Sequence, residues 1–156
     1  AGNKRVVVFD AEGGYLTQFG GAGLGPGQFD EPVGIALEGD GNVYVTDTWN
    51  QRVQVFAPDE TGLIYTPISE WAVSGWYGGS VENKPFIAVD AQQHVYVTDP
   101  QACRVLEFTA GGQIVRAWGA CSSDINGFGL PVGVVVDDAG GVWVSDAGNN
   151  RLLHFP

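Results

Sequence analysis

An aspartate and an arginine recur five residues apart at three places in the chain, and these are the charged groups most regularly placed for chemistry. The pairs are Asp47 and Arg52, Asp99 and Arg104, and Asp146 and Arg151. Such a pair could contact a phosphate backbone, or it could brace a turn by joining a carboxylate to a guanidinium across two strands. The formal net charge of −11, with seven Lys and Arg, opposes nucleic-acid binding and favours bracing.

The remaining residues that could take part in chemistry are two cysteines and two histidines. Cys103 and Cys121 lie where two neighbouring antiparallel strands would begin and end, which predicts a disulfide; two separate buried thiols are the alternative. His94 falls in a turn and His154 in a strand, and no CxxC or paired catalytic carboxylates accompany either one. The sequence therefore predicts no metal site, no cofactor and no catalytic residue.

The Asp–Arg spacing belongs to a longer repeat. A fourth arginine, Arg5, shares the pattern without its aspartate, and every one of these arginines is followed four residues later by a phenylalanine: Phe9, Phe56, Phe108 and Phe155. Alternating runs such as "NVYVTD", "HVYVTD" and "GVWVSD" precede the aspartates, and Gly-rich or Asp-rich turns separate the runs. This pattern predicts units of four antiparallel strands, named a to d, joined by tight hairpins.

The units resemble NHL repeats. The stretch "GPGQFDEPVGIALEGDGNVYVTDTWNQRVQVF" carries the likeness most clearly, and "FGLPVGVVVDDAGGVWVSDAGNNRLLHF" is similar to it. The resemblance implies an all-β β-propeller of NHL type, commonly with about six blades. We predict a single segment over residues 1–156 with about three and a half four-stranded blades. The blades are predicted at 3–20 (partial), 32–73, 85–119 and 131–155 (partial).

An incomplete set of blades would leave apolar blade faces uncovered, so the sequence predicts partners that supply the rest of the ring. The chain begins with Ala and contains no Met, which suggests a piece of a larger protein. The missing blades are expected from the same polypeptide, with a second copy in a homodimer as the alternative.

One connection departs from the repeat and is the predicted ligand site. The segment "EWAVSGWYGGSVENKP" is expected to lie beside the turn that carries Trp49. The other blades have no tryptophan at that position of the repeat. Flat aromatic rings beside amide groups suit a sugar or a peptide. The alternative is that these aromatic residues only pack the longer loop onto the blades. The candidate ligand-binding residues are Trp49, Asn50, Trp76, Tyr77, Asn83 and Lys84.

These observations favour a non-catalytic extracellular or cell-surface scaffold that binds a protein or glycan, as a module of a larger surface or membrane-anchored protein. The alternative is part of a metal-dependent propeller enzyme of the lyase or lactonase type, since such enzymes resemble NHL propellers. The ligand residues of those enzymes do not carry over, because the inner runs "GIAL", "FIAV" and "GVVV" are apolar. No apolar run approaches the roughly 18 residues of a membrane span, so membrane insertion is not expected. Nucleic-acid binding is not expected either, because the chain is strongly acidic.

Overall fold

The computed structural model describes residues 2–76 and 84–156 of the chain. Those residues form thirteen β-strands and one 3-10 turn, Ala147–Asn149, and no α-helix occurs in this described part. No helix there is long and apolar enough to cross a membrane. The all-β prediction is confirmed.

The strands group into the repeated antiparallel units that the sequence predicts. An N-terminal hairpin consists of β1 (Arg5–Phe9) and β2 (Tyr15–Gly20). The first blade contains β3 (Pro32–Leu37), β4 (Val43–Asp47), β5 (Arg52–Pro58) and β6 (Tyr65–Ala72). The second contains β7 (Ile87–Val89), β8 (Val95–Asp99), β9 (Arg104–Phe108) and β10 (Ile114–Trp118). The last contains β11 (Pro131–Val136), β12 (Val142–Asp146) and β13 (Arg151–Phe155).

Within each blade the sheet order follows the order of the sequence, so consecutive strands are joined by hairpins. The first strands of the three blades are consecutive neighbours at the inner edge, where β7 contacts both β3 and β11. The turn between the second and third strand closes in the same way each time, because the residue before the arginine adopts a left-handed backbone. These residues are Lys4, Gln51, Cys103 and Asn150, with φ of 52°, 51°, 53° and 51°.

The core lies in the seams between neighbouring blades. Tyr44, Val53 and Val55 of the first blade pack on Val95, Val97, Leu106 and Phe108 of the second. The second blade packs on the last in the same manner, through Tyr96 and Val105 against Val142 and Val144. Alternate residues of a strand point to opposite sides of the sheet, and in the second blade both sets are apolar, so each face packs on a neighbouring blade. A blade is therefore stabilised by its neighbours more than by its own interior.

An aromatic pair crosses every seam. The last strand of each unit contributes one ring and the third strand of the following blade contributes a phenylalanine. The ring centroids lie 4.8 Å apart for Phe19 and Phe56. They lie 5.8 Å apart both for Trp71 with Phe108 and for Trp118 with Phe155. The repeated phenylalanine of the sequence is thus a contact between blades.

Candidate functional site: the loop face of the blades

The loops that enter each blade and the turns between its second and third strands lie on one face, here called the loop face. It comprises residues 21–31, 47–51, 99–103, 120–130 and 146–150. Asp47 joins its parts in the first blade, because one carboxylate oxygen accepts the backbone N–H of Asp30 at 2.7 Å. The other oxygen accepts Nε of Arg52 at 2.9 Å. The Asp47 side chain is fully buried, so this ion pair is held away from water.

Arg52 extends that connection into the entry loop. Its terminal nitrogens donate to the carbonyl oxygens of Leu24, Gly25 and Gln28 at 2.9, 3.0 and 2.8 Å. A planar guanidinium with five donors suits this role, because it satisfies several carbonyls at once in a fixed geometry. One terminal nitrogen also donates to the Glu70 carboxylate on β6 at 2.9 Å. The donors of Arg52 are consequently directed to the loop and to β6 and not toward an external anion.

The last blade repeats the arrangement. Arg151 donates to Asp146 at 3.0 Å and to the carbonyl oxygens of Ser123, Asp124 and Gly127 at 2.9, 2.7 and 2.8 Å. Burial alone would raise the pKa of Asp146. The N–H groups of Leu130 and Gly129, the Asn149 amide and Arg151 outweigh burial and hold the pKa below its usual value. Hydrogen bonds to the charged carboxylate favour ionisation.

The second blade keeps the ion pair. Arg104 donates to Asp99 at 2.8 Å, and a terminal nitrogen reaches the carbonyl of Ser74 at 3.3 Å. All three predicted pairs face each other across the hairpin, with Asp99 opposite Arg104 as in the other two blades.

The predicted disulfide between Cys103 and Cys121 is confirmed. The two Cα atoms are 4.9 Å apart, and the bond joins the turn before β9 to the loop that enters the last blade. Cys121 occupies the position that Ala22 holds in the first entry loop, since both form a parallel bridge to a buried phenylalanine, Phe128 and Phe29 respectively.

Trp49 is the exposed aromatic residue of the loop face. Its side chain is 57% exposed, although its backbone N–H is anchored to the carbonyl of Asp30 at 3.0 Å. Trp76 does not join it at the surface. It is 2% exposed and packs with Val53, Val73 and Ile87 in the seam between the first two blades. For Trp76 the aromatic-patch prediction is corrected in favour of packing, because the seam offers apolar contacts that water does not.

The polar members of the predicted patch are engaged within the protein. Asn50 donates its side-chain amide to the carbonyl of Gly23 at 2.9 Å and to Asp47 at 2.8 Å. Lys84 forms an ion pair with Glu31 at 2.9 Å, on the segment that also anchors Trp49. Both residues support the loop face. Tyr77 and Asn83 lie outside the described residues.

Leu24 is a surface residue that the sequence reasoning missed. Its side chain is 77% exposed, while its carbonyl is held by Arg52. The available signal was a single leucine among glycines in "GAGLGPG", a loop where an apolar side chain finds no partner of its own. Leu24 and Trp49 are thus two large apolar groups on segments fixed by the same Asp47–Arg52 pair.

The two histidines lie away from the loop face, one beside carboxylates and one against a tryptophan. His94 places Nδ1 3.2 Å from Glu107 and 3.5 Å from Asp90. Burial, followed by the charges of Glu107 and Asp90, raises the pKa of nearby Tyr96 to about 12. His154 stacks on Trp143 with the ring centroids 4.3 Å apart. Across residues 2–76 and 84–156, no group of three or more His, Cys, Asp or Glu side chains could hold a metal ion.

Comparison with known proteins identifies the repeat. The family model described as NHL repeat matches residues 29–56 and 128–155, which contain the Asp–Arg pairs of the first and last blades. Together with the blade architecture, these matches define an NHL-type β-propeller segment. The chain carries NHL repeats in its first and last blades.

Its relatives differ in what their names describe. The human E3 ubiquitin-protein ligase NHLRC1 is 33% identical over 101 residues, which is 65% of this chain and 23% of that protein. A probable peptidyl-alpha-hydroxyglycine alpha-amidating lyase of Caenorhabditis elegans, pgal-1, is 26% identical over 157 residues, or 98% of this chain and 43% of that protein. The chain therefore spans less than half the length of these curated relatives.

Solved propellers share the fold. Virginiamycin B lyase from Staphylococcus aureus superimposes with a TM-score of 0.62 at 14% sequence identity, over 98% of this chain and 48% of that one. At such identity the likeness establishes the β-propeller architecture alone. NHL-repeat and related propellers thus include enzymes as well as a ubiquitin ligase, and the fold by itself does not assign an activity.

Proposed function

We propose that the loop face of the first blade binds a protein or glycan ligand through Trp49 and Leu24, as a scaffold without catalysis of its own. The observation that supports this most directly is the exposure of both side chains on loops that are tightly hydrogen-bonded. Rigid loops lose little conformational entropy on binding, so exposed apolar groups on them are favourable contact points.

The two side chains suit both ligand classes in different ways. An exposed indole offers a flat apolar surface for a sugar ring or for a side chain of a protein. Leu24 adds apolar surface without a polar group, and this favours a protein ligand. The Asp–Arg pairs are satisfied internally, so the loop face does not rely on charge to attract its ligand.

We further propose that the chain works outside the cell or at its surface, as a module of a larger protein. The Cys103–Cys121 disulfide supports this placement, because disulfides persist mainly in oxidising compartments. The limited share of each relative that the chain covers is consistent with a module.

The alternative function is that of a propeller enzyme, and the similarity to the amidating lyase favours it. The two functions are separable by direct assay. Turnover of a peptidyl-alpha-hydroxyglycine by the chain, with divalent metal ions supplied, would support the enzyme. Ligand binding without turnover would support the scaffold.

The experiment begins by selecting ligands for the parent chain from a phage-displayed peptide library and a glycan microarray. Dissociation constants are then measured by titration calorimetry for Trp49→Ala and Leu24→Ser. We expect each variant to bind at least about tenfold more weakly, which corresponds to about 1.4 kcal/mol. Thermal melting should change little, because both side chains are exposed.

Ile125→Ser is the matched control. Ile125 is as exposed as Leu24 and lies on the equivalent entry loop of the last blade, where no tryptophan accompanies it. It should leave binding unchanged. The proposal fails if neither library yields a ligand, or if Ile125→Ser weakens binding as much as the other two changes.

A further inference from the structure

An open groove lies between the first entry loop and β6, the outer strand of the first blade. Its volume is about 260 Å³, and it is lined by Pro26 of the loop and by Pro67, Ile68, Ser69 and Glu70 of the strand. The loop passes close to the strand, since a Cβ added at Gly27 would lie 3.5 Å from the Pro67 side chain. Pockets for drug-sized ligands usually measure about 300–1,000 Å³, so this smaller groove suits a single side chain.

The groove is joined to the proposed ligand site by direct contacts. Nη1 of Arg52 donates both to the carbonyl oxygen of Leu24 and to the carboxylate of Glu70, at 2.9 Å each. The side-chain amide of Asn50, the residue after Trp49, donates to the carbonyl of the loop residue before Leu24 at 2.9 Å. A ligand that covers the two exposed apolar side chains therefore comes within reach of the groove.

The groove presents a negative charge that Arg52 does not fully balance. The single charge of this guanidinium faces two carboxylates, Asp47 and Glu70, with a nitrogen 2.9 Å from each. Asp47 is fully buried, whereas 45% of the Glu70 side chain is exposed, so the excess negative charge is accessible at Glu70. Glu70 lies on β6, beyond the loop face, and the net charge of −11 adds long-range attraction for a basic partner.

The outer strand of the second blade has the same irregularity without the acidic residue. The pairing of β6 and of β10 shifts at one extra residue, Ile68 and Val115 respectively. Both side chains are exposed, at 55% and 49%. Two residues further along, β6 has Glu70, β10 has Ala117, and the equivalent position of β2 has Gln18. The acidic residue therefore occurs on the outer strand of the blade that forms the proposed site, and not on β2 or β10.

The lining of the groove matches a lysine or arginine side chain of a ligand. The apolar stem of such a side chain can contact Pro26 and Ile68 while its cation meets the Glu70 carboxylate. Pairing of a ligand strand with β6 is disfavoured, because Pro67 has no N–H and the shift at Ile68 interrupts the strand. Recognition at this groove therefore depends on a side chain of the ligand.

We propose that the ligand of the first blade is a basic peptide segment of another protein, which places a Lys or Arg side chain in this groove against Glu70. Apolar residues of the same segment contact Trp49 and Leu24. This inference rests on the proposed function, and it narrows the ligand from a protein or glycan to a basic protein segment. The charge of Glu70 and the contacts that join the groove to Leu24 support this ligand.

Selection from a phage-displayed library of random peptides tests the proposal. The library is selected separately on the full 156-residue parent chain and on Glu70→Gln, whose amide oxygen can still accept from Arg52. Peptides selected on the parent should be enriched in Lys or Arg together with apolar residues, and Glu70→Gln should lose the basic enrichment. A labelled parent-selected peptide should bind Glu70→Gln at least about fivefold more weakly by fluorescence anisotropy, which corresponds to about 1 kcal/mol. Added salt should weaken binding to the parent more than to Glu70→Gln.

Ile68→Ser should also weaken binding of this peptide, and Val115→Ser, at the equivalent position of β10, is the matched control that should not. Thermal melting checks that the variants fold, and Ile68→Ser carries the test if Glu70→Gln does not fold. Selection of peptides without basic residues, ligands found only on a glycan microarray, or undiminished binding to Glu70→Gln and Ile68→Ser overturns the proposal. If Trp49→Ala alone weakens binding, the loop-face site stands without the groove. If Trp49→Ala has no effect, the proposed function itself fails.

Discussion

The loops that enter the first and last blades, residues 21–31 and 120–130, are built alike and secured differently. In both, a buried phenylalanine bridges back to the start of the loop, and an arginine holds three loop carbonyls. An aspartate accepts backbone N–H groups at the end of each loop. The shared contacts are those that the repeat encodes.

The additional connections are specific to each loop. The first loop is joined to the N-terminal hairpin by an ion pair between Lys4 and Asp30, and Gln54 accepts the N–H of Gly27 at 2.9 Å. The last loop has the Cys103–Cys121 disulfide instead. The difference indicates that the phenylalanine and the Asp–Arg pair define the loop conformation, and that the other connections adjust its stability.

Removing the arginine should have the largest effect. Arg52→Ala leaves the buried Asp47 carboxylate without its cation, and losing one partner of a buried pair costs about 3–5 kcal/mol. Arg151→Ala should cost less, because 25% of the Arg151 side chain is exposed and water can partly replace it. Urea unfolding measures both. Arg5→Ala is the control, since Arg5 is exposed on β1. Equal losses for all three would contradict the structural role.

Removing the disulfide should have an intermediate effect. In the double change, Cys103→Gln introduces the residue of the equivalent turn position in the first blade, Gln51, and Cys121→Ala introduces the residue of the equivalent position in the first entry loop, Ala22. Opening a loop of 18 residues should lower the free energy of unfolding by about 3 kcal/mol. A reducing agent should lower the stability of the parent by a similar amount and leave the variant unchanged. A variant as stable as the oxidised parent would show that the disulfide contributes little.

Acidification should have the smallest effect and should involve the last loop through Asp146. The pKa of Asp146 is lower in the folded chain than in the unfolded one. The unfolded state therefore binds more protons near pH 4, and stability that is present above about pH 4 is lost as the pH falls through the folded pKa.

Thermal melting between neutral and acidic pH checks this expectation. Asp146→Asn should flatten the acid side of the stability curve. The curve should not become level, because the pKa of Asp137 is also lowered, first by the indole N–H of Trp143. If the parent and Asp146→Asn lost stability in parallel, Asp146 would not contribute.

Much of the fold was predictable because it depends on local patterns. Alternating apolar residues and Gly-rich turns define the hairpins, and the repeat defines their number in the chain. The Asp–Arg spacing also predicted the cross-strand pairing of Asp47 with Arg52. The candidate site was less predictable. Trp49 and Trp76 are both loop tryptophans in the sequence, yet one is exposed and the other fills a seam.

The sequence by itself determined the strands and their hairpin order, because those follow from side-chain period and turn chemistry. It also predicted the disulfide, with two separate thiols as the alternative, and the structure decided between them. Only the tertiary structure decided which side chains remain exposed. The burial of Trp76, the exposure of Leu24 and the direction of the Arg52 donors depend on how a loop meets the next blade. Those contacts join residues far apart in the sequence, so no local pattern encodes them.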